Sequence, residues 1–310
     1  MSSKPLLSIC IPTYNRSKYL DQCLGALVSQ ERFDEIEVVI SDNCSTDDTE
    51  SVGRKYQQDY PNIFYFRNEE NLRDKNFSLA LNRATGSLRK LTNDTVIYKS
   101  GSVKYMLESA EANVDDRRQV YFLSTGQLSA DSVCVDTMDE YINTAGINLT
   151  WIRSLAIWEE DCEDLGIMEV NAKSQLGQIP FLLHNFEKHG GAVIYDRVIM
   201  DSVEVDKKNV SYGIYKVFYE SFLGFIKAKV DEGKVSVDTY ESLRKKILFD
   251  FFSVWVLNRE FIPDKFVFSD EDLPKLIEAA YSYEPYYKEY LKLLRIQRLK
   301  RKIKRLVGKD

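Results

Sequence analysis

Histidine is nearly missing from this chain. Its 310 residues hold two, His184 and His189. That leaves no room for a histidine-rich metal site and restricts any Ser-His-Asp triad to one of those two. The five cysteines, Cys10, Cys23, Cys44, Cys134 and Cys162, are odd in number, scattered, and form no CxxC pair. A disulfide framework or zinc ribbon is thereby excluded, and the pattern reads as reduced thiols in a cytoplasmic protein. Glycine (14) and proline (7) are too few for a collagen-like or low-complexity chain. The opening MSSKP has no apolar core of signal-peptide length. No apolar run reaches the roughly 18 residues of a membrane span, and the longest candidate, residues 247–257, is broken by Asp250. What the chain does have is aromatic mass. Nineteen Tyr and 16 Phe are far more than a disordered segment carries, and the length suits one large or two modest domains.

The net charge is −6, unevenly spread. Residues 291–310 hold nine Lys/Arg and one acid, while the first 290 residues hold 33 Lys/Arg against 47 Asp/Glu. In the tail, LKLLRIQRLKRKIKRLVGKD, Ile296, Leu299, Ile303 and Leu306 recur at helical steps of three and four. Such a basic amphipathic helix can lie on an anionic membrane. It can also bind nucleic acid, or pack on its own body as a solvated terminal helix. The acidic body would repel phosphates, which argues against nucleic acid.

Strand and helix signals alternate from the start. Residues 6–11 are an apolar run stopped by Pro12, as expected of a strand buried on both faces. Leu20, Cys23, Leu24, Leu27 and Val28 then fall at helical spacing. Further strands are expected at residues 36–40, 63–66, 88–91 and 121–124. Helices are expected after Thr49, around Phe77–Ala80–Leu81–Ala84, and around Val103–Met106–Leu107–Ala110. Residues 151–158 and 193–195 can add to the sheet. This order predicts an α/β layer architecture with a parallel sheet. From residue 211 the chain turns helical and strongly aromatic.

In an open parallel sheet, ligands bind beyond the carboxyl ends of the strands. Three polar segments sit there: PTYNR (12–16), SDNCSTD (41–47) and TNDT (92–95). With LSICIPTYNR (7–16), EVVISDNCSTDDT (37–49), NLRDKNFSLALNRATG (71–86) and KLTNDT (90–95), the sequence resembles family-2 glycosyltransferases of the GT-A fold, in the form found in bacterial O-antigen and capsule enzymes. The match is good over about the first 100 residues, architectural to about residue 200, and weak beyond.

The resemblance implies a Rossmann-like, mostly parallel sheet flanked by helices. It also implies sugar transfer from a nucleotide-sugar, a UDP-sugar by expectation, to a glycan or lipid-linked acceptor, with inversion. The domains expected are a catalytic one over 1–205, a helical region over 206–290 and the basic tail over 291–310. The donor site would draw on Pro12, Thr13, Tyr14, Asn15, Arg16, Asp42, Asn71, Lys75, Asn93 and Asp94. Tyr14 would lie near the base and Asp42 would accept from the uracil N3–H, whereas Asp47 reads as a cap. The family's D-x-D is Asn93-Asp94-Thr95 here, with one carboxylate left. Asp94 and Thr95 are the expected ligands of a weakly held Mn²⁺ or Mg²⁺. The alternative is phosphate neutralisation by Arg73, Lys75 or Lys90. The acidic pair that supplies the family's general base is missing. Glu169 is the nearest upstream acid and becomes the candidate. Lys207 and Lys208, in DSVEVDKKN (201–209), are further phosphate candidates. The tail would hold the enzyme at the inner membrane face. A nucleotidyltransferase would want a glycine-rich loop where PTYNR stands. A non-catalytic glycan- or nucleotide-binding scaffold is the other alternative.

Overall fold

The computed structural model describes residues 4–205 and 208–306. The chain divides into two compact units, Met1–Glu204 and Val205–Asp310. The first is built on β1 (Leu7–Thr13), α1 (Ser17–Val28), β2 (Glu37–Asp42), α2 (Thr49–Asp59), β3 (Ile63–Arg67), α3 (Lys75–Arg83) and β4 (Leu88–Leu91). It continues through β5 (Val96–Tyr98), α4 (Ser102–Asn113), β6 (Gln119–Phe122), β7 (Ser132–Val135), α5 (Met138–Ala145) and β8 (Ala156–Trp158). It ends with α6 (Gly166–Val170), α7 (Gln178–Lys188), β9 (Ala192–Tyr195) and β10 (Met200–Ser202).

The main sheet runs β3-β2-β1-β4-β8, parallel except for β8 at the edge. Strand β1 is central, and its apolar run is explained by burial on both faces. Leu7, Ile9 and Ile11 on one face join Leu20, Leu24 and Leu27 of α1 in the core, while Ser8 and Cys10 on the other are equally buried. Each such Leu or Ile contributes about 1.5–3 kcal/mol by leaving water. The expected strand at 121–124 exists as β6, but it leaves the main sheet to pair with β9 in a second sheet, β6-β9-β7. Of residues 151–158 only Ala156–Trp158 form a strand, because a 3₁₀ turn at Ile152–Ser154 interrupts the segment.

The close of the segment 71–86 shows why glycine stands there. Gly86 packs on β1 and its N–H donates to Ser8 Oγ at 2.9 Å. A Cβ at Gly86 would lie 2.3 Å from Ser8 Oγ and 2.9 Å from the Ser8 backbone nitrogen. Backbone cannot give way as a side-chain tip can. Gly86→Ala is therefore expected to cost about 1–3 kcal/mol, read as a lower urea midpoint with unchanged slope.

The second unit holds β11 (Lys208–Val210), α8 (Leu223–Asp231), α9 (Val237–Lys246), α10 (Ser253–Phe261), β12 (Phe266–Phe268), α11 (Leu273–Tyr281) and α12 (Tyr287–Leu306). Several of its aromatic residues are in the interior, with Phe222, Phe252 and Tyr281 buried. Among the described residues no helix is long and apolar enough to cross a membrane, and all five cysteines are free thiols.

Candidate functional site

The tips of β1, β2 and β4 are tied to one another by side chains that the loops themselves supply. Asp94 is the central tie. It lies in the turn after β4 and is 2% exposed. One carboxylate oxygen accepts from the Thr13 hydroxyl at 2.8 Å, and the other from the Arg16 guanidinium at 2.9 Å. A buried carboxylate needs such partners, because an uncompensated one costs several kcal/mol. Burial holds its carboxyl above the usual carboxylate range, against the pull of Arg16 and the Thr13 hydroxyl.

Asn15 joins the first tip to the second. Its N–H donates to Ser45 Oγ at 2.8 Å, and its side-chain oxygen accepts from the Thr46 N–H at 2.7 Å. The chain turns through a left-handed conformation at Asn15 (φ 51°), which asparagine tolerates better than most residues. Asp47 accepts from the N–H of Ser17, the first residue of α1, and from the N–H of Thr49, the first of α2. Burial opposes its charge, but the bonds from Thr49 and Ser17 prevail and hold its carboxyl below the usual range. The capping role expected of Asp47 is thus served at two helices. Tyr14, between Thr13 and Asn15, is left 43% exposed.

Two expectations change. Asp42 is fully buried. One oxygen accepts from Ser45 N and Oγ, the other from the Tyr65 hydroxyl. In this arrangement it holds the loop after β2 and presents no free oxygen to a base. Lys90 was a candidate phosphate cation, yet it is buried. Its ammonium donates to the carbonyls of Leu91 (3.1 Å) and Arg153 (2.6 Å), and burial pushes it down to about 7. It belongs to the interior of the sheet.

Asn71 is exposed and accepts from Asn43 Nδ2 (2.9 Å) and from the Arg73 N–H (2.8 Å). It therefore ties the segment before α3 to the tip of β2. Lys75, the first residue of α3, is exposed, as is Arg73. Pro12, Asn93 and Thr95 are half-buried at the same tips. Lys207 lies outside the described residues, and Lys208 is exposed in β11.

Glu169, in α6, accepts from the Ser78 hydroxyl of α3 at 2.8 Å. With Asp74, Phe77, Ser78, Met168 and Gln178 it lines a shallow, open depression. Asp74, at the N-terminus of α3, has its carboxyl pushed up by burial, with Arg73 opposing. Asp74 is not among the residues expected at the site, although it stands inside NLRDKNF, one position before Lys75. The acid in that motif was the available signal.

Residues 8–132 match Glycosyl transferase family 2. Over that segment the chain is similar to family-2 glycosyltransferases. Among its relatives, Abequosyltransferase RfbV of Salmonella typhimurium is 45% identical over 84 residues, 26% of this chain and 25% of the relative. A GalNAc(5)-diNAcBac-PP-undecaprenol beta-1,3-glucosyltransferase of Campylobacter jejuni is 31% identical over 108 residues, 34% of this chain and 35% of that one. The match thus spans a quarter to about a third of the length of these curated relatives. Among solved structures, S. aureus TarS 1-349 in complex with UDP superposes with a TM-score of 0.58 at 19% identity, covering 88% of this chain and 78% of that one. A mannosyltransferase of Pyrobaculum calidifontis in complex with GDP-Man and Mn²⁺ gives 0.53 at 15%, covering 96% and 88%. The α/β sheet with its helical C-terminal region is the fold these structures share.

Asp94 and Thr13 offer the oxygen ligands a hard cation prefers, the carboxylate and the hydroxyl bonded to it, and Thr95 is the next residue in the chain. The carboxylate carries one negative charge, already facing Arg16. Among the described residues no three His, Cys, Asp or Glu side chains come together as a metal cluster. A divalent ion here would be held weakly by the protein alone.

Proposed function

We propose that this chain transfers a sugar from a nucleotide-sugar, in our reading a UDP-sugar, to a hydroxyl of a bacterial surface glycan or lipid-linked acceptor, with inversion. The observation that carries the proposal is the bonding of Asp94 to Thr13 and Arg16, which gathers the strand tips of a segment similar to family-2 glycosyltransferases around one buried carboxylate. Tyr14 offers an exposed ring for the base, and Asp42 acts on the nucleotide through the loop it holds. Lys75 and Arg73 are exposed cations for the diphosphate. A bound Mn²⁺ or Mg²⁺, held by Asp94 and Thr95, would neutralise the departing nucleoside diphosphate as a Lewis acid. Glu169 is the proposed general base. It serves by accepting the acceptor hydroxyl's proton as that oxygen attacks the anomeric carbon.

The test is a thermal-shift panel of UDP, GDP, CDP and dTDP, with and without Mn²⁺, followed by assay of nucleoside diphosphate released from the matching sugars. UDP should raise the melting temperature most, and UDP-sugars should be turned over. If no nucleotide stabilises the protein, the proposal fails.

A further inference from the structure

The helix α12 docks on its own unit by the face that its sequence does not advertise. Tyr290 and Leu294 are its buried residues. Beyond them, the docked side is made by arginines. Arg298 pairs with Glu260, Arg301 donates to Asn258 Oδ1 at 3.2 Å, and Arg305 donates to the Phe261 carbonyl. All three partners lie on α10. At 3.6 residues per turn, Tyr290, Leu294, Arg298, Arg301 and Arg305 share an arc of about 80°.

The apolar stripe is on the other side. Ile296 is 44% exposed, Leu299 59%, Ile303 51% and Leu306 87%. They share a second arc of about 80°, centred roughly 160° from the docked one. Side chains of this size over about three consecutive turns do not stay wet without a cost. Exposed cations surround them. Lys292 is in line with the stripe, Arg295 and Lys302 border it on one side, and Lys300 borders it on the other. No acid falls on the helix after Glu289.

We propose that this outward face of α12 is a docking surface for an anionic phospholipid bilayer. The stripe enters the headgroup layer and the flanking cations meet lipid phosphates, as a basic amphipathic helix lying in the interface does. Charge selects this occupant. A second copy of the same face would oppose one row of cations to another. A nucleic acid would satisfy the cations and leave Ile296, Leu299, Ile303 and Leu306 in water. The proposal stands apart from sugar transfer, because vesicle binding is read with neither donor nor acceptor present.

The experiment is co-sedimentation of the full chain with vesicles of phosphatidylcholine alone and of phosphatidylcholine mixed with phosphatidylglycerol. The mixed vesicles should bind at least about tenfold more tightly, and added salt should weaken them. The double variant Leu299→Glu, Ile303→Glu changes two exposed side chains and should keep the wild-type melting temperature while losing at least about tenfold in vesicle affinity. Arg295→Glu with Lys302→Glu should lose a comparable amount. No binding by the wild type, or equal binding by either variant, overturns the proposal. So does a dimer, seen by light scattering, that the Leu299→Glu, Ile303→Glu variant abolishes while vesicles stay unbound, or tight duplex DNA binding in the absence of vesicle binding.

Discussion

Asp94→Asn is expected to lower sugar transfer by about 10²- to 10³-fold, the usual loss when one preorganised charge-stabilising group is removed. The substitution is nearly isosteric. One amide oxygen can still accept from Thr13 or Arg16, and the lost second bond costs about 1–3 kcal/mol. The fold should survive, so the loss would be read in kcat, with circular dichroism as the control. Arg16→Gln separates the two charges. Its guanidinium is half exposed, so its removal costs less than breaking a fully buried pair. If Asp94 and Arg16 act as one unit, the double variant will be little worse than Asp94→Asn alone, because coupled residues are not additive. If a divalent ion supplies the positive charge, chelator will depress the wild type and Arg16→Gln alike. Full activity in Asp94→Asn would remove this carboxylate from the reaction.

The parts of this arrangement that were legible in the sequence share a physical cause. Parallel strands buried on both faces read as unbroken apolar runs, so β1, β2 and β4 and the polar tips after them stood out. The pairing of those tips was not legible. Thr13 and Asp94 are 81 positions apart, and nothing in either neighbourhood names the other. Burial was equally hidden. Asp42 and Lys90 belong to polar-ended segments, yet one closes its oxygens on Ser45 and Tyr65 and the other reaches carbonyls inside the sheet. The strand expected at 121–124 forms two residues earlier, at Gln119–Phe122, and Ser124 turns left-handed; a strand's sequence also does not say which neighbour it will pair with, and β6 took β9. In α12 the stripe was read correctly as a stripe. What the spacing could not show is that arginines, with ring contacts to Phe261, would fill the docked side and leave the isoleucines and leucines outside.

The depression between α3 and α6 carries the other large effect. Glu169→Gln should cost about 10²- to 10⁴-fold in kcat, with little change in KM, if this carboxylate takes the acceptor's proton. The amide keeps the shape and can still accept from Ser78, so stability should change little. Asp74 lines the same depression, and burial lifts its carboxyl, which makes it a stronger base than an ordinary carboxylate. Asp74→Asn is therefore the necessary partner experiment. A base reveals itself in the acid limb of the pH–rate profile, which its amide variant abolishes. If Glu169→Gln keeps full turnover and Asp74→Asn loses that limb, the role passes to Asp74. If both variants keep wild-type turnover, the depression takes no part in the chemistry. The base must then be sought outside the α3 and α6 walls, and the bond from Ser78 to Glu169 becomes a packing contact between two helices.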